Sequence, residues 1–195
     1  MSSLAAPTAR THSADPIDAA LRRARAALWL GAASAVALAM ISLFVTTSSD
    51  DDFHYTGDYF LTANGIPYVV ALLALLPALR TLQHRRDGRL GQAGIAFASA
   101  GSVVLGGMFV YGLAAATGGS LGPTYVLASL ATIVGVGLFA AGSWRAGLLP
   151  RWLIPVWFVA WVVGSMLPIA GPGPLLLAAV YVAMALLLPR RVPER

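Results

Sequence analysis

Apolar residues along this chain gather into long runs, and six of them approach the ~20 residues a helix needs to cross a hydrocarbon layer about 30 Å thick. The runs are Ala27 to Thr46, Leu61 to Leu79, Gln92 to Thr117, Pro123 to Ser143, Trp152 to Ala170 and Pro174 to Pro189. They occupy most of the 195 residues and leave no room for a second, soluble domain. The expected fold is an all-α membrane protein: six transmembrane helices in an up-down bundle, covering residues 15–189. Residues 1–14 are small, polar and aperiodic and read as a disordered cytoplasmic tail, with 190–195 as a second short tail.

Start and stop signals flank these runs. Asp15-Pro16-Ile17-Asp18 has a capping carboxylate, a proline at the first helical position and an acid in the first turn, so a helix should begin there and run into the first span. Asp87-Gly88 marks a turn, and Gly118 to Gly122 and Gly171 to Pro174 make short connections. Three helices are expected to start near Gly and Pro, at Gly65-Ile66-Pro67, Gly122-Pro123 and Gly171 to Pro174. The prolines near span ends, Pro77, Pro155 and Pro168, read as boundaries rather than hinges. The starts near Gly and Pro admit three duplicated hairpins, though helix-start chemistry together with the orientation rule is the favoured account; spans one to three and four to six also have opposite topology, which admits an inverted repeat.

Small residues recur every fourth position as Ala27, Gly31, Ala35 and Ala39 in span one, and as Gly94, Ala98, Ser102 and Gly106 in span three. Such ladders let backbones approach in lipid, where burial of apolar surface no longer drives association. Close packing of spans one and three is the expectation, with Gly135 and Gly137 giving span four a narrow patch of its own.

Charge adds orientation. The chain is 58% hydrophobic and only 11% charged, against about 25% charged in soluble domains. All 13 basic residues are arginines, and they lie before span one, between two and three, between four and five, and after six. The alternate connections have none, and the first of them holds Asp50, Asp51, Asp52 and Asp58. Basic loops stay cytoplasmic, so both termini should be inside. The formal charge of +5 is then a topology signal and implies no nucleic acid. Lysine-free, arginine- and alanine-rich composition points to codon bias of a high-GC bacterium and hence to a bacterial plasma membrane. The first span exceeds a signal peptide's 7–15 apolar residues and reads as a retained helix.

Candidate chemistry is sparse. Without cysteine there is no disulfide, thiolate metal site or thiol nucleophile, and no cofactor is implied. No ionisable residue lies at mid-depth of any span, which argues against proton relays and ion pumps. Ser99, Ser102, Ser129, Thr132 and Ser165 could line a path, but bonding to their own helix carbonyls is the favoured reading. In the outer connection Asp50, Asp52, His54 and Asp58 are the candidates for a divalent cation. A solvated acidic loop with aromatic anchors is the preferred account of them. Gly118 to Gly122 matches a G-x-S-x-G nucleophile pattern around Ser120 and is similar in that respect to rhomboid-like proteases, yet no histidine follows His84. Arg80, Arg85, Arg86 and Arg89 are placed to meet anionic lipid headgroups on the cytoplasmic side.

Ser143-Trp144-Arg145-Ala146-Gly147-Leu148-Leu149-Pro150-Arg151-Trp152-Leu153 resembles a W-R-x-G-x-L-P-R-W-L-like inner connection of uncharacterised actinobacterial six-helix integral membrane proteins. The resemblance covers about eleven residues and implies location rather than activity. Physically, Trp144 and Trp152 suit headgroup depth while Arg145 and Arg151 hold the turn inside. The sequence favours a non-enzymatic membrane scaffold or accessory subunit, associating with other membrane proteins or with itself. A channel or exporter for a small or apolar solute is the alternative, and a membrane enzyme using the outer face comes third.

Overall fold

The computed structural model describes residues 15–47, 52–117, 122–165 and 173–192. These form six helices: α1 (Pro16–Phe44), α2 (Thr56–Leu82), α3 (Gly88–Ala115), α4 (Pro123–Ala146), α5 (Leu153–Ser165) and α6 (Gly173–Arg191). All but α5 are long and apolar enough to cross a membrane. The described part of α5 has 13 residues; the rest of the expected fifth span, 166–170, lies outside the described residues, as do tail residues 1–14 and 193–195.

Local signals account for several ends. Asp15 caps α1 by accepting a hydrogen bond from the Ile17 N–H at 2.9 Å, with Pro16 at the first helical position. Gly122 and Gly147 take positive φ on either side of α4, where a side chain would be strained. The Gly65-Pro67 expectation is overturned: α2 begins at Thr56, and Pro67 and Pro77 lie inside it. Each proline leaves a carbonyl one turn back without its N–H partner, a loss tolerated where neighbouring helices enclose it. Pro77 is therefore not a boundary either. Its own carbonyl accepts the Thr81 hydroxyl at 3.0 Å.

Each helix packs on its neighbours in sequence, and α1 also packs on α6, so the described helices close into a ring. The small-residue ladders are at interfaces, but the expected pairing of spans one and three is corrected. Span one meets α2 and α6: Gly31 faces the Tyr181 ring, and the Asn64 amide donates to the Ser34 carbonyl at 2.9 Å. Span three meets α4 instead. A Cβ on Gly135 would lie 2.7 Å from Ala98 Cα, and one on Gly94 would lie 2.8 Å from Phe139 Cα. A Cβ on Gly101 would lie 2.8 Å from Thr132 N, and one on Gly142 would lie 2.9 Å from Gly91 N. Numbers fall on α4 as they rise on α3, so these two helices are antiparallel with backbones in direct contact. Only glycine permits that approach.

The main core joins Leu28 of α1, Leu72, Leu75, Leu76 and Leu79 of α2, and Phe139 of α4 to Leu153, Trp157 and Trp161 of α5 and Met184 of α6. Phe139 and Trp157 meet edge to face, with ring centroids 6.4 Å apart. Large apolar side chains also cover the outside, including Phe44, Val103, Leu127 and Leu186. Soluble monomers rarely expose such contiguous apolar surface, whereas lipid solvates it.

Candidate functional site

Three polar regions interrupt the apolar bundle. At the end where α2 begins, Asp58 is 4% exposed and its carboxylate accepts from the backbone N–H groups of His54 (3.0 Å) and Tyr55 (2.8 Å). It closes the first turn of α2 and satisfies donors that a helix start leaves open. Asp52 pairs as an isolated bridge with Thr117, and the Phe53 N–H reaches the Ala116 carbonyl at 3.1 Å, fastening this connection to the end of α3. Phe53 and Tyr59 stack edge to face at 4.7 Å. Among the described residues, no three His, Asp or Glu side chains gather to hold a metal ion. Asp50 and Ser120 lie outside the described residues.

At the opposite end, the connection between α2 and α3 folds inward. Asp87 is buried, and its Oδ2 lies 3.6 Å from Arg80 Nε, whose side chain is 23% exposed. Gln83 is buried beside it and donates from Nε2 to Ser143 Oγ at 2.9 Å, tying the end of α2 to α4. Of the four arginines expected to face headgroups, Arg80 turns to Asp87, while Arg85, Arg86 and Arg89 are exposed. A basin of about 440 Å³ opens at this end, lined by Asp15, Asp18, Gln83, His84, Arg86 and Arg191 among others.

Within the bundle lies a third region that the apolar runs concealed. Among the described residues, the Tyr68 hydroxyl and the Trp157 and Trp161 indole nitrogens are buried without a hydrogen-bond partner, as are the Ser102 and Ser129 hydroxyls. Tyr68 lies close to Tyr181, Trp161 and Ser165 without meeting any of them in good hydrogen-bonding geometry. Two hydroxyls behave as expected from the sequence: Thr132 bonds to the Ala128 carbonyl at 2.8 Å, and Ser165 bonds to the Trp161 carbonyl. Tyr68, Ser102 and Trp161 line a small void of about 50 Å³ between α2, α3, α4 and α5, which opens beside the exposed Tyr125. Tyrosine and tryptophan inside an apolar run were the available signal, since each carries a polar atom that burial obliges to find a partner.

Between void and basin the interior is closed. Leu75, Leu76 and Leu79 of α2, Phe139 of α4, and Leu153 and Trp157 of α5 are all at most 1% exposed and lie at intervening positions on their helices.

The class these features define is a helical protein whose long apolar helices fit residence in a membrane. No known protein family, curated protein or solved structure matches the chain.

Proposed function

We propose that this chain is a six-helix integral protein of a bacterial plasma membrane, an up-down bundle with both termini cytoplasmic. Its role is that of a non-enzymatic scaffold or accessory subunit. The observation carrying this reading is the packed interior: a leucine-aromatic plug separates the small void from the basin, with no open passage between them among the described residues. The antiparallel α3–α4 contact supports the bundle arrangement. Orientation is supported by Arg80, Arg86 and Arg191 gathering at one end and Asp52 and Asp58 at the other. Exposed Arg85, Arg86 and Arg89 are proposed to meet anionic headgroups, and the lipid-facing sides of the helices to meet another membrane protein or a second copy.

The test places a photo-crosslinking residue singly at Phe44, Val103, Leu127 and Leu186 in living cells. At least one position should give a discrete protein adduct; lipid adducts alone at all four would overturn the role. In parallel, vesicles containing the purified chain should pass ions, glycerol and urea no faster than empty vesicles. Faster, saturable flux would favour the alternative, a channel or exporter, for which the void is the supporting feature.

A further inference from the structure

We propose that the void between α2, α3, α4 and α5, which opens beside Tyr125, is a hydration site. It holds one to a few water molecules that link Tyr68 of α2, Ser102 of α3 and Trp161 of α5. This goes beyond the scaffold reading and does not depend on it. Three lining groups have buried polar atoms with no partner among the described residues: the Tyr68 hydroxyl, the Ser102 hydroxyl and the Trp161 indole nitrogen. Ser102 and Trp161 are at most 1% exposed, so neither reaches a partner outside the bundle. A buried polar group left unmatched forfeits its hydration without recompense, and three around one void make an apolar or empty filling unfavourable.

The lining also dictates the guest. The Trp161 nitrogen only donates, so the guest must accept. Thr132 and Ser165 already spend their protons on the Ala128 and Trp161 carbonyls, leaving oxygen lone pairs that can accept from a guest that donates. The Tyr68 and Ser102 hydroxyls serve in either sense. None of the void's described lining residues is Asp, Glu, Lys, Arg or His, so an ion would enter without a counter-charge from them, at high desolvation cost. The guest is neutral, both donor and acceptor, and small. A volume of about 50 Å³ suits water, since ~10–15 Å³ already admits one ordered molecule and each takes about 30 Å³ in the liquid.

X-ray hydroxyl-radical footprinting of the full chain in nanodiscs tests this directly, because radicals form on water held beside a side chain. Met184 supplies the control: it is as buried as Trp161, reacts readily with the radical, has no polar atom in need of a partner and does not line the void. Normalised to intrinsic reactivity, Tyr68 and Trp161 should be labelled several-fold faster than Met184; equal protection of all three overturns the proposal. A second measurement distinguishes wet from dry by sign. Ser102→Ala removes one water partner and should lower the unfolding midpoint by roughly 2–4 °C. In a dry void the same change deletes an unsatisfied hydroxyl, so an unchanged or raised midpoint also overturns it.

Discussion

Gly135→Ala is the sharpest test of how this bundle is held together. The new Cβ would lie 2.7 Å from Ala98 Cα and 2.8 Å from Ala98 Cβ. Carbon atoms settle at about 3.5–4.0 Å, so α3 and α4 must separate by roughly 1 Å, and such a gap forfeits a quarter to a half of each contact's attraction. The atoms in the way belong to Ala98's backbone and Cβ, which have no rotamer by which to yield. Overpacking of this kind costs about 1–3 kcal/mol, and the upper end applies here. Alanine returns up to about 1 kcal/mol of helix propensity, leaving a net loss of about 2 kcal/mol and a midpoint lowered by roughly 4–8 °C. Gly107→Ala is the matched control. It lies on α3, is exposed, and a Cβ there meets nothing within 4 Å, so only the propensity gain remains and stability should hold or rise. Thermal unfolding followed by tryptophan fluorescence in nanodiscs reads both variants. A Gly135→Ala protein as stable as the parent, or a Gly107→Ala protein equally damaged, would refute backbone contact as the basis of the α3–α4 pair.

Asp87→Asn removes the charge facing Arg80 within a buried corner and should cost about 2 kcal/mol, read as a lowered midpoint; the partly exposed arginine can turn outward, which keeps the loss below that of a fully buried pair. Asp58→Ala frees the N–H groups of His54 and Tyr55 and should cost about 1 kcal/mol, with faster proteolysis of the connection before α2 as the readout. Topology is checked by single cysteines, since the chain has none of its own. Ser49→Cys and Gly119→Cys should react with an impermeant thiol reagent on intact cells, and Arg85→Cys and Arg151→Cys should not.

Much of the architecture was readable from local features. Apolar length located the helices, because a segment in lipid must satisfy its own backbone. Asp15-Pro16 marked the start of α1 and Gly122-Pro123 that of α4 because a cap acts within a few residues of itself. The ladders of Gly31 and Gly94 correctly announced close contacts, yet their partners were misjudged. A small residue states that a backbone can approach and carries no label for which one. Pro67 and Pro77 were misread as helix edges for a related reason: whether a carbonyl can go without its N–H depends on the helices around it.

The candidate polar sites were legible only in part. Asp58 stood out within an acidic connection, but its use as a helix-closing carboxylate depends on the backbone of His54 and Tyr55 turning toward it. Arg80 looked like its neighbours Arg85, Arg86 and Arg89 until the chain reversal placed Asp87 beneath it. Tyr68, Trp157 and Trp161 were hidden because each sits in an apolar run where an aromatic ring counts as hydrophobic.

Taken alone, the order of residues determined which stretches are helical and apolar, where several helices begin, and how arginine is distributed along the chain. Those properties depend on neighbours within about a turn or on summed composition, and so survive without knowledge of the fold. Tertiary structure alone decided that α3 lies on α4, that the ring closes through α1 and α6, and that Tyr68, Ser102 and Trp161 surround one void. Each of those outcomes compares distant segments for fit, and fit between surfaces is a property of three-dimensional shape.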